Sequence, residues 1–357
     1  MAQIGLPLRF DGWSRGWALA VLAFIALVTV ASALTPPIKE PPAKYWANAK
    51  LTDPMLYSQV AARVGKGDSY YMAAAELHRE GGFPLKPFVT MRLPTLAYLT
   101  GYLGSKASFV LFLALIGAVV VGWMRAAIQG GLSKPMTIAL CGLIGMSCAI
   151  LINPITSVLH DAWAGLLIAL ALALWREGRF WPSLIVGLAA ALIRENAAAF
   201  LLLMGAAAAI EQRWREVLCW AGAVAIMIVV LKLHHDAVAL VVRDDDIVSS
   251  GWQAHGGWPM LVIATKFCTP LLLLPRWLAA FLLPLALFGW ASWKHPLALR
   301  VTGLLLGYGA MIMLFARVKN FYWALLMAPL LLGGLALVPR AFARLIMMSR
   351  QPRAAFA

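Results

Sequence analysis

Residues 181–210 read WPSLIVGLAAALIRENAAAFLLLMGAAAAI. Two apolar runs of 13 and 14 residues, 181–193 and 197–210, flank the polar step Arg194-Glu195-Asn196. As helices they are each about 20 Å long, short of the roughly 30 Å hydrocarbon core of a bilayer. The charges of Arg194 and Glu195 therefore fall below a membrane surface. There a charge is costly and must pair or line a wet cavity. The pair reads either as a structural ion pair or as part of a functional site.

The rest of the chain has the same character. Its 357 residues are 62% hydrophobic and 13% charged, against about 45–50% apolar and about 25% charged in soluble domains. That contrast excludes a soluble globular enzyme, a disordered chain and a disulfide scaffold. The net charge of +15 does not point to nucleic acid, because Lys and Arg sit in short segments between apolar runs, as orientation signals do. Cys141, Cys148, Cys219 and Cys268 lie in apolar stretches without a CxxC spacing and read as packing residues. The first apolar run reads as a span and not as a cleavable signal.

Hydropathy and charge predict an all-α polytopic membrane protein with about ten spans: 17–34, 107–124, 136–153, 158–175, 181–193, 197–210, 217–233, 277–292, 301–316 and 322–338. The apolar stretch 258–274, interrupted by Pro259 and Pro270 and followed by Pro275, reads as an interfacial or re-entrant segment. With ten spans, the inner segments hold 14 basic residues against four acids, Asp11, Glu177, Glu211 and Glu216. Both termini are then cytoplasmic. Eleven of the fifteen acids lie outside or at the outer ends of helices, so the polar machinery is expected on the outer face. No internal repeat is visible, and 1–357 reads as one membrane domain.

The outer segment 35–106 reads as ordered. Asp53-Pro54 opens a helix over 55–64, and Asp68 caps a second that ends at Gly81-Gly82. Pro84-Leu85-Lys86-Pro87 is stiff and extended, and a third helix covers 94–103. Asp68 is a helix cap, a catalytic base, or both. Lys86 and Arg92 contact lipid headgroups or a phosphate ligand. His160-Asp161 opens a span on the outer side. The second outer segment, 234–276, carries His234-His235-Asp236 and Asp244-Asp245-Asp246, which lack a recognised metal-ligand spacing. A divalent cation is conceivable there but unsupported, and no cofactor is expected. Arg276, Arg317, Lys319, Asn320 and Tyr322 add polarity to outer turns.

This layout resembles the GT-C fold of membrane glycosyltransferases that use polyprenyl-phosphate sugars. The resemblance rests on a first span followed by a long outer loop and on short motifs. These are Gly67-Asp68-Ser69-Tyr70-Tyr71, Ala75-Glu76-Leu77 and Gly81-Gly82-Phe83-Pro84-Leu85. His160-Asp161-Ala162-Trp163-Ala164-Gly165, Arg194-Glu195 and Arg317-Val318-Lys319-Asn320-Phe321-Tyr322-Trp323 complete them. It implies that Asp68 is the base. Many members carry a second acid where this chain has Ser69, and Glu40, Asp53 and Glu76 stand as rivals. It further implies that Tyr70, Tyr71, Lys86, Arg92, His160, Asp161, Arg194, Glu195, Arg317, Lys319, Asn320 and Tyr322 bind substrate.

The implied partners are a polyprenyl-phosphate sugar donor, a glycan or lipid acceptor and membrane lipids. The implied location is a bacterial plasma membrane with the site facing outward. Two other readings compete: a transporter or flippase of a lipid-linked substrate, and a non-enzymatic subunit of a membrane complex. An inverted repeat would favour the transporter, and none is visible.

Overall fold

The computed structural model describes residues 7–38 and 51–350. Glu40 and Arg353 lie outside the described residues. Among those described, every regular element is a helix, apart from two isolated backbone bridges.

Contacts group the chain into two compact units. The first, here the loop unit, comprises the described residues of Lys39–Val119 and Leu151–Gln253. The second, the terminal unit, comprises those of Met1–Ile38, Val120–Ile150 and Ala254–Ala357.

The loop unit opens with α2 (Asp53–Gly65) and α3 (Tyr70–Gly81), the first helix of the chain being α1 (Arg15–Ala33) in the terminal unit. In α2, Leu56, Val60 and Val64 recur every four residues, and in α3 Tyr70, Ala74 and Leu77 share a face. The two stripes bury each other, with Leu85, Met91 and Ala97 closing the cluster. Each buried Leu, Val or Met side chain here contributes about 1.5–3 kcal/mol. Gly82 ends α3 in the left-handed conformation, at φ +68°. Thr52 occupies the cap position of α2, so Asp53 is a first-turn residue and not the cap. Likewise Ser69, not Asp68, is the cap residue of α3.

After Pro84 the chain is extended, and Lys86 bridges Val248 in parallel: its N–H donates to Ile247 and its carbonyl accepts from Ser249. A helical run, α4 (Thr95–Gln129), follows, broken at Gly104. Its first segment crosses α2 with backbones nearly touching. A Cβ on Gly101 would lie 2.5 Å from the Ala61 carbonyl oxygen. Then come α5 (Lys134–Ala149), α6 (His160–Leu174), α7 (Trp181–Ile193), α8 (Ala198–Ile210) and α9 (Trp214–Ala239). Of these, α5 belongs to the terminal unit.

The terminal unit continues with α10 (Gly257–Phe267), α11 (Arg276–Ser292) and α12 (Pro296–Phe315). A 3-10 run, Val318–Leu326, leads into the short α13 (Ala328–Leu331) and a second 3-10 run, Leu332–Ala336. The expected turn at 317–322 is therefore mostly helical. A further helix, α14 (Val338–Ser349), was not expected from the sequence. It places Ala341, Leu345 and Met348 on one buried side. The expected re-entrant stretch is α10 plus a 3-10 turn, Pro270–Leu273, with Met260–Thr265 buried.

Among the described residues, four helices are long and apolar enough to cross a membrane: Arg15–Ala33, Phe88–Gln129, Trp214–Ala239 and Pro296–Phe315. The pair Val318–Leu326 and Ala328–Ala336, bent by 61°, makes a fifth. Five further apolar helices have 10–17 residues. Large apolar side chains such as Phe24, Leu27, Ile185 and Leu218 point outward, each more than half exposed. Lipid, not water, suits such a surface. The protein is a helical, membrane-embedded chain.

Candidate functional site

The short helices α2 and α3 frame a cavity in the loop unit. From α2 come Tyr57 and Val60, and from α3 come Tyr70, Ala74 and His78, spaced four residues apart. The start of α4 adds Leu96, Ala97 and Thr100. Val158 and His160, at the opening of α6, and Arg92, from the preceding loop, complete the wall. The space is about 370 Å³, part of it open to the surroundings.

Arg92 links it to an ion cluster built at the break between α7 and α8. Arg194 ends α7 in extended conformation, and Glu195–Ala197 forms a 3-10 turn before α8. The Arg194 guanidinium is 1% exposed; its Nε donates to Asp161 at 2.9 Å, and its Nη1 pairs with Glu195. Arg92 Nη1 reaches the same Glu195 oxygen at 3.4 Å, and Arg92 Nε donates to the Tyr57 hydroxyl at 3.1 Å. Two guanidiniums and two carboxylates thus cancel in formal charge. Buried ions persist when paired in this way. Asp161 does not cap α6; Leu159 holds that position, and the Asp161 carboxylate goes to Arg194. The Thr95 hydroxyl donates to the Leu192 carbonyl at 2.6 Å, taking up one acceptor freed by the break.

Backbone ties fix the cavity wall. The Tyr70 hydroxyl donates to the Arg92 carbonyl at 2.5 Å, and burial pushes its phenol well above the usual range. His234 on α9 accepts from the Tyr71 hydroxyl at 3.2 Å through Nδ1 and donates to the Met91 carbonyl at 3.0 Å through Nε2. His78 Nδ1 donates to the Ala74 carbonyl at 2.6 Å, and burial lowers its imidazole to about 4. Arg79 holds Asp246 with two bonds, 2.7 and 2.8 Å, and this pairing brings that carboxyl down to about 2.

Asp68 lies outside the lining. Its carboxylate accepts from Arg63 Nε at 2.6 Å, and Arg63 also donates to Glu76 at 2.7 Å, all three being partly exposed. The two carboxylates raise Arg63 above its usual value. Asp68 precedes the cavity residue Tyr70 by two positions, so their Cα atoms are at most about 7 Å apart. Arg63 follows the cavity residue Val60 by one helical turn on α2.

The expected site residues thus separate. Tyr70, Arg92 and His160 share the cavity wall. Tyr71, Asp161, Arg194 and Glu195 stand in networks that support it. Lys86 spends its ammonium on the Asp244 carbonyl at 2.9 Å. Arg317, Lys319, Asn320 and Tyr322 belong to the terminal unit, where Arg317 donates to the Asn320 side chain at 3.3 Å.

Tyr57 and His78 were not singled out from the sequence. His78 was legible as the third member of the Tyr70, Ala74, His78 stripe. Tyr57 carried no comparable signal.

Among the described residues, no three His, Cys, Asp or Glu side chains converge as a metal site. The acidic and histidine runs of the second outer segment are engaged otherwise: Asp246 with Arg79, and Asp236 with Lys232 and His235. No protein-family model, no curated protein and no solved structure matches this chain.

Proposed function

We propose that this chain is a membrane glycosyltransferase that moves a sugar from a polyprenyl-phosphate donor to an acceptor hydroxyl. In this reading all ten apolar segments cross a bacterial plasma membrane, both termini are cytoplasmic, and the cavity faces outward. The observation that carries it is the wall itself. Two interfacial-type helices, α2 and α3, meet the beginnings of α4 and α6 around Arg92 and His160, with Asp68 two residues from Tyr70.

Asp68 takes the proton of the acceptor hydroxyl as its oxygen attacks the anomeric carbon. The bond from that carbon to the phosphate oxygen breaks, and its electron pair leaves with the lipid phosphate. Arg92 stabilises the growing charge, and Arg194 holds Glu195 so that Arg92 stays oriented. One base and one anionic leaving group give inversion at the anomeric carbon. Arg63 holds the Asp68 carboxylate in place until the acceptor arrives.

The test uses the full chain in lipid vesicles with a panel of radiolabelled polyprenyl-phosphate hexoses and pentoses and membrane-extracted acceptors. Transfer is expected from the wild type, and a loss of about 10²–10⁴-fold from Asp68→Asn. Full activity in that variant removes Asp68 from the chemistry. No transfer from any donor removes the enzymatic reading.

A further inference from the structure

The positive charge of the chain is divided unevenly between its units. Among the described residues, the loop unit carries thirteen Lys or Arg and thirteen Asp or Glu, so its formal charges cancel. The terminal unit carries thirteen Lys or Arg and one acid, Asp11. A unit with that surplus repels itself unless anions gather on it.

Six of these cations collect along one rim of the terminal unit, where α1 begins, α11 ends and α14 runs. The Arg9 N–H donates to the Ser292 carbonyl and the Lys294 N–H to the Pro7 carbonyl, each at 2.9 Å. Arg9 and Lys294 thus flank the Leu8–Trp293 bridge. Arg344 on α14 donates to Asp11 at 2.7 Å. Arg340 lies one turn before Arg344, Arg350 caps the same helix, and Arg15 opens α1. Aromatic rings tie the same elements together. Phe10 stacks on Phe288 of α11 at 6.4 Å, and Phe288 meets Phe342 of α14 at 5.3 Å.

Helix α14 divides into three faces. Ala341, Leu345 and Met348 are buried. On the opposite side Ile346 and Met347 are exposed, and Arg340 and Arg344 fall between the two. Arg350 returns to the exposed side. Trp13 and Trp17 are exposed as well, with ring centroids 6.3 Å apart, and Trp13 meets Phe10 edge-on at 6.2 Å. A soluble acidic partner answers the arginines but leaves this apolar strip and the tryptophans in water. An anionic leaflet answers all three. Its phosphates suit the guanidiniums, its acyl boundary suits Ile346 and Met347, and its headgroup layer suits tryptophan.

We infer that this rim is a binding surface for anionic phospholipid headgroups, on which α14 lies in the plane of the leaflet. Arg340, Arg344 and Arg350 face the lipid phosphates, and Ile346 and Met347 enter the acyl boundary. The inference goes beyond glycosyl transfer and holds whether or not the chain is an enzyme.

The experiment weighs lipids on the full chain, held in a neutral detergent, by native mass spectrometry. The chain is titrated with phosphatidylglycerol or with phosphatidylcholine. Wild type should bind the first phosphatidylglycerol about fivefold or more tighter than phosphatidylcholine, roughly the worth of one cation beside an anionic surface. Arg340→Gln with Arg350→Gln should weaken phosphatidylglycerol about fivefold or more and leave phosphatidylcholine within about twofold. Arg179→Gln with Arg215→Gln removes the same charge from exposed positions of the neutral loop unit, close in sequence to Glu177 and Glu216. That variant should bind both lipids within about twofold of wild type.

Equal affinity of wild type for the two lipids overturns the inference. So does unaltered phosphatidylglycerol binding in the Arg340→Gln, Arg350→Gln variant. Equal losses in the two double variants also overturn it, because they report total charge and not this rim. Should the α14 variant fail to fold, Asp11→Asn keeps every arginine and makes the rim more positive. It should tighten phosphatidylglycerol, and unchanged or weaker binding overturns the inference. Displacement of bound phosphatidylglycerol by equimolar soluble polyglutamate makes the rim a site for an acidic protein and overturns it too.

Discussion

The two compact units handle buried polarity differently. In the terminal unit the packing is close and mostly apolar. A Cβ on Gly289 would collide with the Gly334 carbonyl, and Trp123 meets Trp290 edge-on at 5.3 Å. Its buried Arg300 gives Nη1 to the Pro296 carbonyl, one turn back on its own helix. In the loop unit, Arg194 instead reaches from the α7–α8 break to Asp161 on α6. Both units let backbones close on small residues, Gly101 over Ala61 in one and Gly289 against Gly334 in the other, but in the loop unit buried charge also joins separate elements beside a cavity. The lesson is that a mean apolar composition hides where a membrane chain keeps its room for chemistry.

The sharpest way to break this contrast is Arg194→Ala. It strands Asp161 and Glu195 in a buried setting and should destabilise the protein by about 3–5 kcal/mol. Denaturant unfolding in mixed micelles reads the loss, and Arg194→Ala with Asp161→Ala should recover part of it. If the single variant is as stable as wild type, the cluster does not hold the α7–α8 break.

Acid should act next, on the loop unit. His78 has a bound proton affinity near 4, against 6.5 when free, so it stays neutral in place. Below 6.5 the unfolded segment takes up protons that the folded one refuses. Stability of α3 is therefore full above that value and falls, by on the order of 3 kcal/mol, as pH drops toward 4. Below about 4 this contribution is flat, while protonation of Asp246 adds a further loss as pH falls from 3.8 toward about 2. Hydrogen exchange of α3 across this range checks it, and His78→Leu should shrink the upper step.

Gly289→Ala probes the other side of the comparison. It pushes a methyl group into the Gly334 carbonyl and should cost about 1–3 kcal/mol, read as a lowered unfolding midpoint. A neutral result would mean that close backbone approach does not hold the terminal unit. The smallest effect belongs to Asp68→Asn. Its ion pair with Arg63 is partly exposed, so stability should change by less than about 1 kcal/mol. A large drop would make Asp68 a structural residue.

Much of the helix layout was legible because apolar runs leave few alternatives. The expected run 181–193 coincides with α7, and 197–210 with the 3-10 turn's last residue plus α8. The interfacial helices were legible from Pro54, Gly81-Gly82 and period-four apolar residues. Helix α14 was missed because Arg340, Arg344 and Arg350 made the segment read as a basic tail. Its Ala341, Leu345, Met348 spacing was the available signal.

Asp68 was misread as a cap because local spacing says nothing of Arg63, which claims the carboxylate from α2. The same limit applies to the site. Arg194-Glu195 announced itself as charge in a greasy run, but its partners Asp161 and Arg92 lie 33 and 103 positions away along the chain. Only folding brings them together, and only folding puts His160 on the wall of the same cavity as Arg92.

The break at Gly104 has a mechanical consequence. Its φ of +76° and ψ of 163° interrupt the helical ladder between the segment bearing Leu96, Ala97 and Thr100 and the long rod beyond. A continuous helix would transmit every twist of that rod to those three side chains. The interruption makes the two segments separate rigid pieces, each with its own hydrogen-bond ladder.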